Sequence, residues 1–210
     1  MAETAKYFDP YEVIGVITPG TVGALLLTTE APAFRALLGK DGLSVGDFGL
    51  FILVAFVLGH LVQAVGNVLE YVVWPFGNLP SFWVRATDQK LLTREQRAAV
   101  ESKVQAMEGT TEGIASFDDD SWRAVTTRAF ARVRTAGQSF RIDNSNRTYG
   151  LCRGLVAAFA IALAWYAYSH SADREGLVLL AIMLIAAIWR MRRAGVHYAR
   201  GLWLEFIDLK

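Results

Sequence analysis

Cysteine is all but missing from this chain of 210 residues: Cys152 stands alone. That excludes a disulfide within the chain and any cysteine-based metal site, and it gives no clue to redox compartment. Histidine is scarce too, and His60, His170 and His197 lie in different regions and make no metal set. There is no Gly-x-Ser-x-Gly, no His-Glu-x-x-His and no phosphate loop of the Gly-x-x-x-x-Gly-Lys type. An enzyme therefore has no positive support, and neither a metal nor a cofactor is expected. Strand-rich stretches, internal repeats and low-complexity tracts are absent as well. Met1–Glu12 carries one Lys and three acids, and no basic segment precedes the first apolar run, so no cleavable signal is expected.

Charge is withheld most selectively. Charged residues are 20% of the chain, 53% is hydrophobic, and the mean hydropathy is +0.30, apolar-rich against the roughly 45–50% usual for soluble domains. Four low-charge runs are read as membrane spans. The first, about Val13 to Thr29, is near the minimum length and contains Pro19-Gly20, a candidate hinge or packing kink. The second is long, about Val45 to Trp74. The third runs from about Gly150 to Ser169. The fourth, about Gly176 to Trp189, is short but extends as a helix through Arg190–Arg193, whose side chains can snorkel to headgroups.

The second span starts as hydrocarbon, Leu50-Phe-Ile-Leu-Val-Ala-Phe-Val-Leu58, and then brings in His60, Gln63, Asn67 and Glu70. At about 100° per residue these four fall within roughly 80° of one another, with Gly59 and Gly66 on the neighbouring edge. A polar stripe on such a helix must face another helix, water or a ligand. It reads either as interhelical glue or as the lining of a water-filled path or oligomer pore.

Arg190, Arg192, Arg193 and Arg200 follow the fourth span, and Arg141 and Arg147 precede the third, whereas the loop at 30–44 has only Arg35 and Lys40. The positive-inside bias then puts both termini in the cytoplasm. The expected layout is an all-α integral membrane protein with four transmembrane helices and a helical cytosolic insertion between spans 2 and 3. Its parts are an N-terminal transmembrane pair (1–74), the insertion (75–148), a C-terminal transmembrane hairpin (149–193) and a C-terminal cytosolic helix (194–210).

Within the insertion, Thr93-Arg-Glu-Gln96 has the spacing of a capping box, and the helix it opens should stop at Gly109. Asp118-Asp119-Asp120-Ser121 precedes a second helix, about Trp122 to Ala136, with Trp122, Val125, Ala129, Phe130 and Val133 as its apolar stripe. Three consecutive acids point in different directions, so they read as a cap and solvated charge rather than a metal cage. Arg128, Arg132, Arg141 and Arg147 form a basic stretch. It suits either anionic headgroups or a phosphate-bearing regulator such as a nucleotide or oligonucleotide.

Gly59-His-Leu-Val-Gln63, Asn146-Arg-Thr-Tyr-Gly150 with Arg153-Gly154, Arg190-Met-Arg-Arg193 and His197-Tyr198 together carry a resemblance. The chain resembles small four-span proteins of the bacterial inner membrane with a helical cytosolic insertion and a basic C-terminal helix. Similar proteins look like membrane effectors of anti-phage defence systems such as Hailong, where a nucleotidyltransferase product controls a channel. The resemblance implies a homo-oligomeric channel in the lipid bilayer, a nucleotide-type regulator and a cytosolic nucleotidyltransferase-type partner. It carries over no catalytic residue. The alternative is a membrane anchor or scaffold that docks a cytosolic enzyme.

Overall fold

A computed structural model describes residues 10–31, 45–74, 79–170 and 172–209. Residues 1–9, residues 32–44 with Arg35 and Lys40, and residues 75–78, where the insertion is expected to start, lie outside the described residues. Among the described residues there are helices and no strand. They are α1 (Pro10–Glu30), α2 (Val45–Val73), the short α3 (Pro80–Trp83), α4 (Arg94–Glu108), α5 (Asp119–Thr135), α6 (Phe140–Ser169) and α7 (Arg174–Asp208), with one 3-10 turn at Ile114–Ser116.

The chain divides into two compact units. The first comprises residues 1–73 and 147–191. Two helices have the length and apolarity to cross a membrane, over Gly46–Val73 and Phe140–Ser169, and a third apolar helix, Val13–Thr28, is shorter. In the most apolar window of α2 only 17% is buried, the reverse of a soluble core helix. Leu53, Val57, Leu61, Val68 and Val72 on α2, and Val178, Leu179, Ile182, Ile185 and Trp189 on α7, all point outward. Exposed apolar surface of this kind marks a membrane or a partner.

Helix α1 is helical straight through Pro19-Gly20, so neither residue lies in an unwound stretch. Its crossing with α2 is made by glycine on both sides. A Cβ built on Gly20 would overlap the carbonyl oxygen of Ala55, and one on Gly59 would overlap that of Val16. Ala24, Phe51 and Ala55 close the same contact.

The second unit comprises residues 74–146 and 192–210. Thr93 caps α4 in the expected box: its hydroxyl accepts from Gln96 N–H at 3.2 Å while the Gln96 side chain accepts from Thr93 N–H at 3.0 Å. Gly109 closes the helix at φ 66°, in the left-handed region that favours glycine. Asp118 caps α5 by accepting from Ser121 N–H at 2.7 Å. The two helices pack on each other and on extensions of α6 and α7. Val100, Val104, Trp122, Val125, Ala129, Val133, Ile142, Leu202, Trp203 and Phe206 form one buried core. At its centre Trp122 stacks on Trp203, centroids 5.2 Å apart, and donates its Nε1–H to Ser81 O at 3.1 Å.

The separate C-terminal helix expected over 194–210 is not separate. Helix α7 runs unbroken from Arg174 to Asp208. Its apolar period continues past Arg193 through Ala199, Leu202, Trp203 and Phe206, and no proline interrupts it. Helix α6 likewise begins at Phe140, ahead of the apolar run that starts near Gly150.

Candidate functional site

The polar stripe of α2 splits lengthwise into two pairs. Gln63 and Glu70, one heptad apart, turn inward. His60 and Asn67, also one heptad apart, turn outward.

Gln63 is placed by a proline. Pro19 has no N–H, so the carbonyl of Gly15, four residues earlier on α1, lacks its helical donor. Gln63 Nε2 donates to that carbonyl at 3.0 Å and to Gly150 O on α6 at 3.2 Å. One side-chain amide thus links three helices. Close approach makes this feasible: a Cβ on Gly154 would come within 2.7 Å of Gln63 Nε2 and 2.8 Å of the Pro19 ring. Gln63 Oε1 is buried and has no partner among the described residues.

Glu70 is held by α6. Tyr149 donates its hydroxyl to Glu70 Oε1, and Arg153 Nη1 stands 3.4 Å from Oε2. Tyr149 and Arg153 are four residues apart, so they share a helix face. That spacing puts both on one side of α6, and the packing of α2 decides that Glu70 stands opposite them. Gly66 lies against the Arg153 backbone, where a Cβ would be 3.1 Å from its carbonyl oxygen.

The outward pair has no such anchors. His60 and Asn67 are exposed, and among the described residues neither has a hydrogen-bond partner. The His60 ring meets Phe56 edge-on, with centroids 4.7 Å apart. The arrangement can bond to a neighbouring helix or to water. It has no nucleophile–base pair, and no group of His, Cys, Asp or Glu among the described residues could hold a metal ion.

The members of the basic stretch differ in what holds them. Arg128 is bound to Glu108 through two hydrogen bonds, Nε at 2.8 Å and Nη2 at 2.6 Å, one to each carboxylate oxygen. The fork geometry that would grip a phosphate is therefore occupied from within the unit. Arg132 and Arg141 are exposed, and neither has an ion-pair partner among the described residues. Arg132 edges a groove of about 650 Å³ in the second unit, with Lys103, Met107, Phe206 and Leu209. Lys103 spends its ammonium on the carbonyls of Phe206 and Leu209 at the end of α7. Arg147 belongs to the first unit.

The acids at 118–120 are likewise divided. Asp118 caps α5, and Asp119 pairs with Arg85. The bonds from Ser121 hold the Asp118 carboxyl below its ordinary value of 3.8. Near the turn between α6 and α7, Ser169 Oγ donates to Trp165 O at 3.0 Å and lies 2.7 Å from His170 Nδ1. Compared with protein families, with curated proteins and with solved structures, the chain matches none.

Proposed function

We propose that the chain is a four-span protein of the bacterial inner membrane, with both termini cytoplasmic, that works as a homo-oligomeric channel regulated through its helical second unit. The observation carrying this reading is the outward pair His60 and Asn67, exposed on a largely apolar span and without hydrogen-bond partners among the described residues. Polar side chains at that depth are costly against lipid and are retained where they meet water or another helix. The apolar half of α7, about 176–189, and helix α1 supply the other two spans. In this reading the chain is an effector of anti-phage defence, with a nucleotide-type regulator supplied by a nucleotidyltransferase-type partner. With Arg128 paired to Glu108, the groove at Arg132 is the place for the regulator's anionic group. The test is ion flux from liposomes holding the purified protein. His60→Leu should abolish flux while the protein still folds and assembles. Unchanged flux would overturn the channel.

A second reading, a membrane anchor for a cytosolic enzyme, is favoured by the inward pair. Gln63 and Glu70 are consumed in holding helices together, and the second unit has a core of its own. Overexpression separates the two: a channel should collapse the membrane potential or arrest growth, whereas an anchor should be inert.

A further inference from the structure

The outward side of α2 has an order of its own. Leu53, Val57, His60, Ala64, Asn67 and Tyr71 follow one another at steps of four, three, four, three and four. All six are exposed: Leu53 63%, Val57 60% and Tyr71 69%, with His60, Ala64 and Asn67 in the same class. That spacing is a heptad seam, the pattern by which one helix meets another along its length. The seam from Leu53 to Tyr71 is about 27 Å long, close to the roughly 30 Å of bilayer hydrocarbon. A second set at similar steps, Ala55, Gly59, Val62 and Gly66, is already buried within the first unit. The helix thus has one seam filled by its own chain and one left open.

We infer that the open seam is filled by α2 of a second copy of this chain, in parallel orientation and with each residue meeting its own counterpart. This rests on the oligomeric reading above and names its interface. Three features argue for a second copy. Copies inserted in one orientation and related by an axis along the membrane normal place identical residues at identical depth. The Asn67 side chain has both donors and an acceptor, so it is complementary to itself. The polar pair also fixes register, because only in register do both His60 and Asn67 of each copy meet polar counterparts, whereas a one-heptad shift pairs one His60 with one Asn67 and leaves the others facing Leu53 and Trp74. Ala64, midway between His60 and Asn67, is small enough for close approach. Two copies make a closed pair. A ring of more copies turns the same residues toward the axis, with His60 and Asn67 as its polar layers about 10 Å apart.

The experiment is a scan of single cysteines in native membranes, on a Cys152→Ala background, at positions 53, 57, 60, 61, 64, 67 and 68. Leu61 and Val68 are as exposed as the seam (61% and 67%) but stand off to one side of it. Under oxidation, covalent dimers at 57, 60, 64 and 67 should exceed those at 61 and 68 severalfold. Equal or higher yield at 61 and 68 overturns the seam while leaving the oligomer standing. Adducts to a different protein overturn the second copy as occupant. Light scattering of the detergent-purified chain gives an independent measure. Asn67→Leu should weaken self-association about threefold to tenfold, and Asn67→Gln should retain it. A monodisperse monomer for the unsubstituted chain overturns both the seam and the oligomeric reading.

Discussion

Gln63 shows how one residue can be explained by the absence of an atom elsewhere. Its amide replaces the N–H that Pro19 lacks, at a carbonyl forty-eight positions away in sequence. Gln63→Leu should destabilise the first unit by about 1–3 kcal/mol, the usual cost of leaving a buried polar group unpaired. Pro19→Ala restores a donor to Gly15 O, so the same Leu substitution should cost less in that background. Thermal unfolding of the four proteins in detergent reads the cycle, and strict additivity would refute the link. Asp118 gives a pH prediction. Its carboxyl lies below its ordinary value when folded, so its cap contribution is complete above about pH 4 and is lost as the pH falls through the folded value. Asp118→Asn keeps a capping side chain but removes the titration, and its melting temperature should fall less between pH 5 and pH 3 than that of the parent.

At the scale of helices, glycine placement decides what can pack. Gly20 and Gly59 each face backbone of the opposing helix, whereas Gly49 has nothing near it. Gly20→Ala or Gly59→Ala should separate α1 from α2 and lower the melting temperature markedly. Gly49→Ala should be neutral or stabilising, by up to about 1 kcal/mol from helix propensity. Equal effects at the three positions would contradict the crossing. The cap of α4 is a local matter by comparison: Thr93→Ala should cost about 1 kcal/mol, read in the unfolding of the second unit. Arg128 changes meaning at this scale. Because it ties α5 to Glu108 of α4, charge reversal there tests helix packing as much as ligand binding, and Arg132 is the cleaner probe.

For the whole molecule, the proposed arrangement puts Gly109 in the cytoplasm and the turn between α6 and α7 on the opposite side. A reporter fused at Gly109 should be active only in its cytoplasmic form, and one at Ala172 only in its periplasmic form. A periplasmic signal at Gly109 would overturn the four-span topology. The division into two units follows from composition along the chain. Helix α6 changes from mixed to apolar sequence part-way and α7 from apolar to mixed, and the compact units change near the same places, about residues 146 and 191.

Features governed by near neighbours were readable from sequence alone. The all-helical character follows from runs of period 3.6. The capping box at Thr93–Gln96, the glycine stop at 109 and the buried stripe of α5 each depend on residues within a turn or two, so local spacing was enough. The polar stripe itself was also readable, because its four residues share one side of a helix whatever surrounds them. What spacing could not decide was which part of that arc faces inward. Gln63 and Glu70 differ from His60 and Asn67 by only about 60° of rotation. Which pair is buried depends on where α1 and α6 come to lie, and that is set by the glycine contacts at 20, 59, 66 and 154. The same holds for Arg128, twenty residues from Glu108, and for the unbroken α7, whose second half is held by packing against Trp122. Partners distant in sequence belong to tertiary structure because periodicity places a side chain on its own helix and is silent about what stands opposite.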